Sequence, residues 1–144
     1  MNRQMGSTLF ELVTVIAVLG TFAAIAVPSA AHVGSVVSSS EGARRLALVL
    51  RAAQAEAQSR SAPVRVEVDA GGCYLVTVGQ ESLMSGRLGA RVASTYPNGV
   101  IEFSGRGWAG LPGSSSPRAG HFSVEGMATL RTVTVQLSGC VRCA

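Results

Sequence analysis

The chain has 144 residues, of which 47% are hydrophobic and only 14% charged, with a formal net charge of +4. That length suits one domain with a modest core plus an appended segment, and so low a charge fraction argues against a uniformly soluble chain. Three cysteines are too few, and odd in number, for a disulfide scaffold.

The apolar excess is concentrated near the N-terminus. From Leu12 to Ser40 there is no Asp, Glu, Lys or Arg, and Leu12 to Val27 is a run of 16 uncharged, mostly apolar residues. As a helix this run is about 24 Å long, short of the roughly 30 Å hydrocarbon core of a bilayer. Leu9 and Phe10 before it and the uncharged residues after Pro28 extend it to spanning length. Arg3 precedes it, which favours a cytoplasmic N-terminus. A secretory signal peptide cleaved near Ser29-Ala30-Ala31 and a plain anchor are two readings of such a segment. Glu11 argues against both, because a carboxylate beside an apolar run opposes insertion and is kept where it has work to do.

Met5-Gly6-Ser7-Thr8-Leu9-Phe10-Glu11-Leu12 followed by the apolar run resembles the type IV prepilin family. That family has a polar leader ending in Gly, a Phe-Thr-Leu-x-Glu pattern and an apolar helix. Counted from Ser7, Glu11 is fifth and Pro28 twenty-second, as in the family; Ser7 itself stands where Phe is usual. The resemblance implies a leader of residues 1–6 and cleavage between Gly6 and Ser7 by a prepilin peptidase. It also implies N-methylation of Ser7 and a transmembrane helix over residues 7–28 in a bacterial inner membrane. Glu11 would neutralise the N-terminal amine of a neighbouring subunit in a filament packed helix on helix.

Pro28 predicts a kink within a continuing helix, while Gly34 and Ser38-Ser39-Ser40 weaken it locally. Ala43, Leu46, Ala47, Leu50, Ala53 and Ala57 restore the helical period, with Arg44, Arg45, Arg51, Gln54 and Gln58 largely on other faces. The helix is expected to end near Arg60, before Pro63, so that residues 29–62 form a periplasmic continuation. Unbroken from Ser7, it would be about 80 Å long.

After Pro63 the period becomes that of a strand. Val64, Val66 and Val68 alternate with Arg65 and Glu67, and Asp69-Ala70-Gly71-Gly72 turns into a second strand, Cys73 to Val78. Further strands are expected at Val92, at Val100 to Phe103, at His121 to Val124 and at Thr132 to Leu137. Gly105 to Gly120, rich in Gly, Ser and Pro, reads as a long loop. The fold class is therefore α+β, a long helix laid on an antiparallel sheet within a β-rich domain of residues 63–144. This half is similar to the H-class minor pseudopilins of type II secretion and the FimT-like minor pilins. The similarity rests on Leu50 to Ala57, on Val100 to Phe103 before a Gly-rich loop, and on Thr132 to Val135 followed by Gly139-Cys140-Val141-Arg142. The subgroup often ends in Gly-Arg-Val-Arg, and Cys140 replaces its first Arg.

No enzyme signature emerges. His32 and His121 stand without a triad pattern, Gly105-Arg106-Gly107 and Gly110 to Gly113 lack the Lys and helix of a phosphate loop, and no cofactor or metal set is present. Cys140 and Cys143 have redox spacing but do not lie at a strand-to-helix turn, against a thioredoxin-like role. In an oxidising periplasm, Cys140 is expected to pair with Cys143 or Cys73. Trp108 reads either as a partner-binding anchor or as a hydrophobic plug over the sheet edge.

Charge divides unevenly: five Arg balance five acids between Glu41 and Gly86, but from Arg87 onward six Arg face only Glu102 and Glu125. The leading expectation is a non-enzymatic minor pseudopilin serving type II secretion or pilus assembly. The alternative is a DNA-binding minor pilin for natural transformation, with Arg131 and Arg142 as contacts. These two flank the last strand, about 36 Å apart if the segment were fully extended, unless a turn at Ser138-Gly139 folds Arg142 back. A secreted soluble β-domain is the third reading.

Overall fold

A computed structural model describes the backbone of residues 5–126 and 129–144, and the side chains of residues 10–21, 39–126 and 129–144. The chain comprises two compact units, Met1–Gly34 and Ser35–Ala144. One helix, α1 (Met5–Arg60), is followed by nine strands: β1 (Val64–Val68), β2 (Cys73–Val78), β3 (Glu81–Arg87), β4 (Arg91–Ser94), β5 (Val100–Phe103), β6 (Ala109–Gly110), β7 (Gly120–Glu125), β8 (Leu130–Val135) and β9 (Val141–Cys143). The fold is α+β, as expected. The helical assignment runs on through Pro28 and Gly34.

In the first unit, Phe10, Leu12, Val13, Val15, Ile16, Val18 and Leu19 are each between 52 and 72% exposed. At 100° per residue these positions surround the helix, so it is apolar on every side, the pattern of a segment that needs an apolar surrounding. Among the described residues no helix is long and apolar enough to cross a membrane. The stretch with described side chains, Phe10 to Thr21, is only about 18 Å of helix.

In the second unit, α1 buries Ala43, Leu46, Ala47, Leu50, Ala53 and Ala57, each at most 4% exposed. These are the six positions given by the helical period. Four of them are Ala, which brings the helix axis close to the strands beneath. The helix stops at Arg60 because Ser61 takes a left-handed conformation, φ 49°. The Ala62 N–H then reaches the Ala57 carbonyl and the Ser61 N–H the Gln58 carbonyl, at 3.2 and 3.3 Å. This pair of bonds closes a helix C-terminus, with Ser in the place Gly usually takes. Arg60, in the last turn, bonds Glu56 at 2.6 Å and Glu81 at 2.8 Å, and the two carboxylates raise its pKa.

The strands form two sheets rather than one, ordered β3-β2-β1-β5-β6 and β4-β7-β8-β9. All pairings are antiparallel. Val64, Val66, Val76, Ile101 and Phe103 from the first sheet and Phe122, Val124, Val133 and Val135 from the second are fully buried in the same core as α1. Each such side chain contributes about 1.5–3 kcal/mol. β1 and β2 have the expected bounds. The last long strand begins at Leu130 and ends at Val135, because Gln136 already belongs to a turn whose N–H bonds the Cys140 carbonyl at 2.9 Å. β3, β6 and β9 were not anticipated, and the expected loop from Gly105 to Gly120 contains β6.

Polar residues of α1 fasten the C-terminal half. Arg51 Nη2 donates to the Val141 carbonyl at 2.9 Å, and Gln54 Nε2 donates to the carbonyls of Gly107 and Ser138 at 2.9 and 3.2 Å. Ser39, fully buried, shares a 2.6 Å hydrogen bond with the Thr129 hydroxyl.

Candidate functional site

Gly6 and Ser7 belong to α1, and their side chains lie outside the described residues, as does that of His32. Glu11 is exposed among apolar neighbours that are exposed too. Among the described residues it makes no ion pair. Its carbonyl accepts from Thr14 Oγ1 at 2.8 Å.

The two arginines singled out in the C-terminal half come close without sharing a face. Gly139, at φ 80°, makes the turn that reverses the chain. β9 then returns beside β8, placing Arg142 opposite Thr134, while Arg131 lies opposite Val124 on β7. Arg131 is three residues from Thr134, about 10 Å along the strand. An odd spacing puts the two on opposite faces of the sheet.

All three cysteines are free thiols, Cys73 half-buried and Cys140 and Cys143 exposed. Strand geometry accounts for this. Gln136 pairs with Cys140 just as Val133 pairs with Cys143, so residues 140–143 are extended. Their Cα atoms stand about 10 Å apart, beyond the roughly 7 Å limit of a disulfide. Cys73 opens β2 opposite Arg87 in the first sheet. Its neighbours Ala70 and Gly72 bond Val92 and Leu88 on the β4 side, whereas β9 is the far edge of the second sheet. Three inter-strand spacings of about 4.8 Å separate the two edges. The Arg87 guanidinium donates toward the Cys73 sulfur, which raises its pKa, with Asp69 adding to the effect. Among the described residues no three ligands converge on a metal position. His121 is exposed, and its backbone N–H takes Thr95 Oγ1 at 2.8 Å.

A concavity lies around Trp108. A groove of about 560 Å³ is lined by Glu102, Ser104, Arg106, Leu111 and the serines 114–116, with Trp108 as one wall. Trp108 is 48% exposed, so it is not a buried plug. Its backbone is fixed on both sides: Ser104 N–H bonds the Trp108 carbonyl at 2.9 Å, and Trp108 N–H bonds Ser104 Oγ at 3.2 Å. Gly107 takes φ 84° and lies against the end of the Gln58 side chain. Gln54 Nε2, through its bond to the Gly107 carbonyl at 2.9 Å, ties the loop to the helix end. Glu102, Ser104 and Arg106 were not singled out as site residues in the sequence; the pairing of β5 with β6 turns their segment back to face Leu111 and the serines 114–116.

Two crystal structures of the type IV minor pilin FimU of Pseudomonas aeruginosa (strain PAO1), in space groups P65 and P21, superpose on this chain with a TM-score of 0.61 and 16% identity. The match covers 72% of this chain and 90% and 85% of theirs. The fold is pilin-like. A helix whose last turns lie across antiparallel strands, ahead of a β-rich remainder, is the feature shared with these minor pilins. No family model matches the chain, and no curated protein does either.

Proposed function

We propose that this pilin-like chain is a minor structural subunit of a filament, either a type II secretion pseudopilus or a type IV pilus, and that it performs no catalysis. The observation that carries the reading is the helix of the first unit. Its side chains from Phe10 to Leu19 are exposed and apolar all round, with one carboxylate, Glu11, in their midst. Lipid before assembly and neighbouring helices after it would both cover such a surface. The pilin-like fold of the second unit supports the same role.

On this reading a prepilin peptidase cuts between Gly6 and Ser7 at the cytoplasmic face of the inner membrane, and Ser7 receives the methyl group. The helix over residues 7–28 anchors the chain, and the β-rich domain faces the periplasm. The test is the mass of the mature N-terminus after coexpression with a prepilin peptidase. Wild type should begin at Ser7. Gly6→Arg should remain full-length in the membrane fraction, because a side chain at the cut obstructs a peptidase that reads the backbone closely. A mature chain beginning near His32 would instead mark a secretory signal peptide and overturn the proposal.

A further inference from the structure

The Trp108 groove has a second compartment. Trp108 and Pro117 also border an open hollow of about 360 Å³ that Leu137 and Ser138 complete. Trp108 is thus common to two hollows, one lined by hydroxyls and a pair of opposite charges and the other chiefly by apolar groups. We propose that this double hollow binds a neutral glycan bearing N-acetyl groups, with the Trp108 indole stacked on a sugar ring.

The chemistry of the lining selects that class. An indole face is apolar and electron-rich, and it suits the C–H face of a pyranose. The ring's rim needs both donors and acceptors. Glu102 accepts, Arg106 donates through a planar fork, and the serine hydroxyls do either. Among the described residues neither Glu102 nor Arg106 makes an ion pair, so both remain available to hydroxyl groups. One acid and one base leave the groove with no net charge, which matches a neutral ligand better than a phosphate chain. The apolar hollow beside Trp108 takes a methyl group, which an acetamido substituent supplies within reach of the same ring. The groove's volume falls in the range of small-molecule sites.

Trp108 is the only tryptophan in the chain, so its fluorescence reports on this site alone. The full chain, held in a sugar-free zwitterionic detergent because alkyl glycosides would compete, is titrated with chitotetraose. The expected result is a saturable change in emission with a Kd on the order of 1 mM, as suits a shallow site with few contacts. By ligand-observed NMR, Trp108→Ala should weaken binding at least tenfold, Trp108→Phe should retain it, and Glu102→Gln should weaken it several-fold. Each variant must show an unchanged circular dichroism spectrum. Cellotetraose, which lacks acetyl groups, should bind at least fivefold more weakly. No saturable change with chitotetraose, or equal binding by Trp108→Ala, overturns the proposal. Equal binding of cellotetraose overturns the N-acetyl assignment, and binding of an unrelated tetrapeptide alone overturns the glycan class. None of these outcomes depends on the processing of Gly6 or on assembly into a filament.

Discussion

The phenol of Tyr96 lies in the core with 2% of its surface exposed, packed on Phe122 at a centroid distance of 5.4 Å. Its hydroxyl donates to the Arg118 carbonyl at 3.2 Å. Burial pushes its pKa from 10.0 up to about 12, with Arg118 pulling weakly the other way. Between those values the unfolded chain has lost a proton that the folded chain retains. Stability is therefore intact below pH 10 and declines as pH rises through about 12. Tyr96→Phe keeps the ring packing and removes the hydroxyl. It should cost about 1 kcal/mol near neutrality, the usual net worth of one hydrogen bond, and it should abolish this alkaline loss. Denaturant melts of both proteins at neutral pH and between pH 10 and 12 measure the two effects. Parallel alkaline decline in the variant would show that another group is responsible. At this scale the sequence was partly legible. Trp108 stood out as a lone aromatic in a Gly-rich stretch, but Tyr96 gave no signal. Its burial depends on β7 and on the Arg118 carbonyl, both more than twenty residues away in the chain.

Among the elements, legibility tracked amphipathic contrast. β1 alternates buried Val with exposed Arg65 and half-buried Glu67, and its period announces it. β3, Glu-Ser-Leu-Met-Ser-Gly-Arg, buries no residue fully and forms an edge, so no alternation betrays it. β9 is three residues long and exists because Arg51 and β8 hold it. Division into two sheets was hidden as well, since β1 chooses β5 and β4 chooses β7 through contacts distant in sequence. The extended form of β9 has a chemical consequence: it keeps Cys140 and Cys143 from closing on each other. Alkylation of the protein, purified without reductant and then unfolded, should therefore label all three cysteines. A single labelled thiol would mean that β9 detaches from β8 to allow a bridge, at the cost of the Arg51 bond to Val141.

For the whole molecule the decisive residue is Glu11, set among exposed apolar side chains. A carboxylate carried into lipid or into a helix bundle loses its water and needs a cation in compensation. The proposed cation is the N-terminal amine of a neighbouring subunit, freed by cleavage after Gly6. Removing the carboxylate has opposite effects at two stages. Insertion should be unimpaired, because Ala is cheaper in hydrocarbon than an acidic side chain. Assembly should fail, because the neighbour's amine is left buried without a partner, a defect of about 3–5 kcal/mol that corresponds to at least a hundredfold loss of association. Glu11→Ala is thus expected to be cleaved and membrane-bound like wild type. Cysteine cross-linking to a coexpressed major pilin should fall to background. If the variant cross-links as efficiently as wild type, Glu11 has another role, such as reaching the headgroups. If it is also left uncleaved, the carboxylate acts on the peptidase instead, and the amine pairing is wrong.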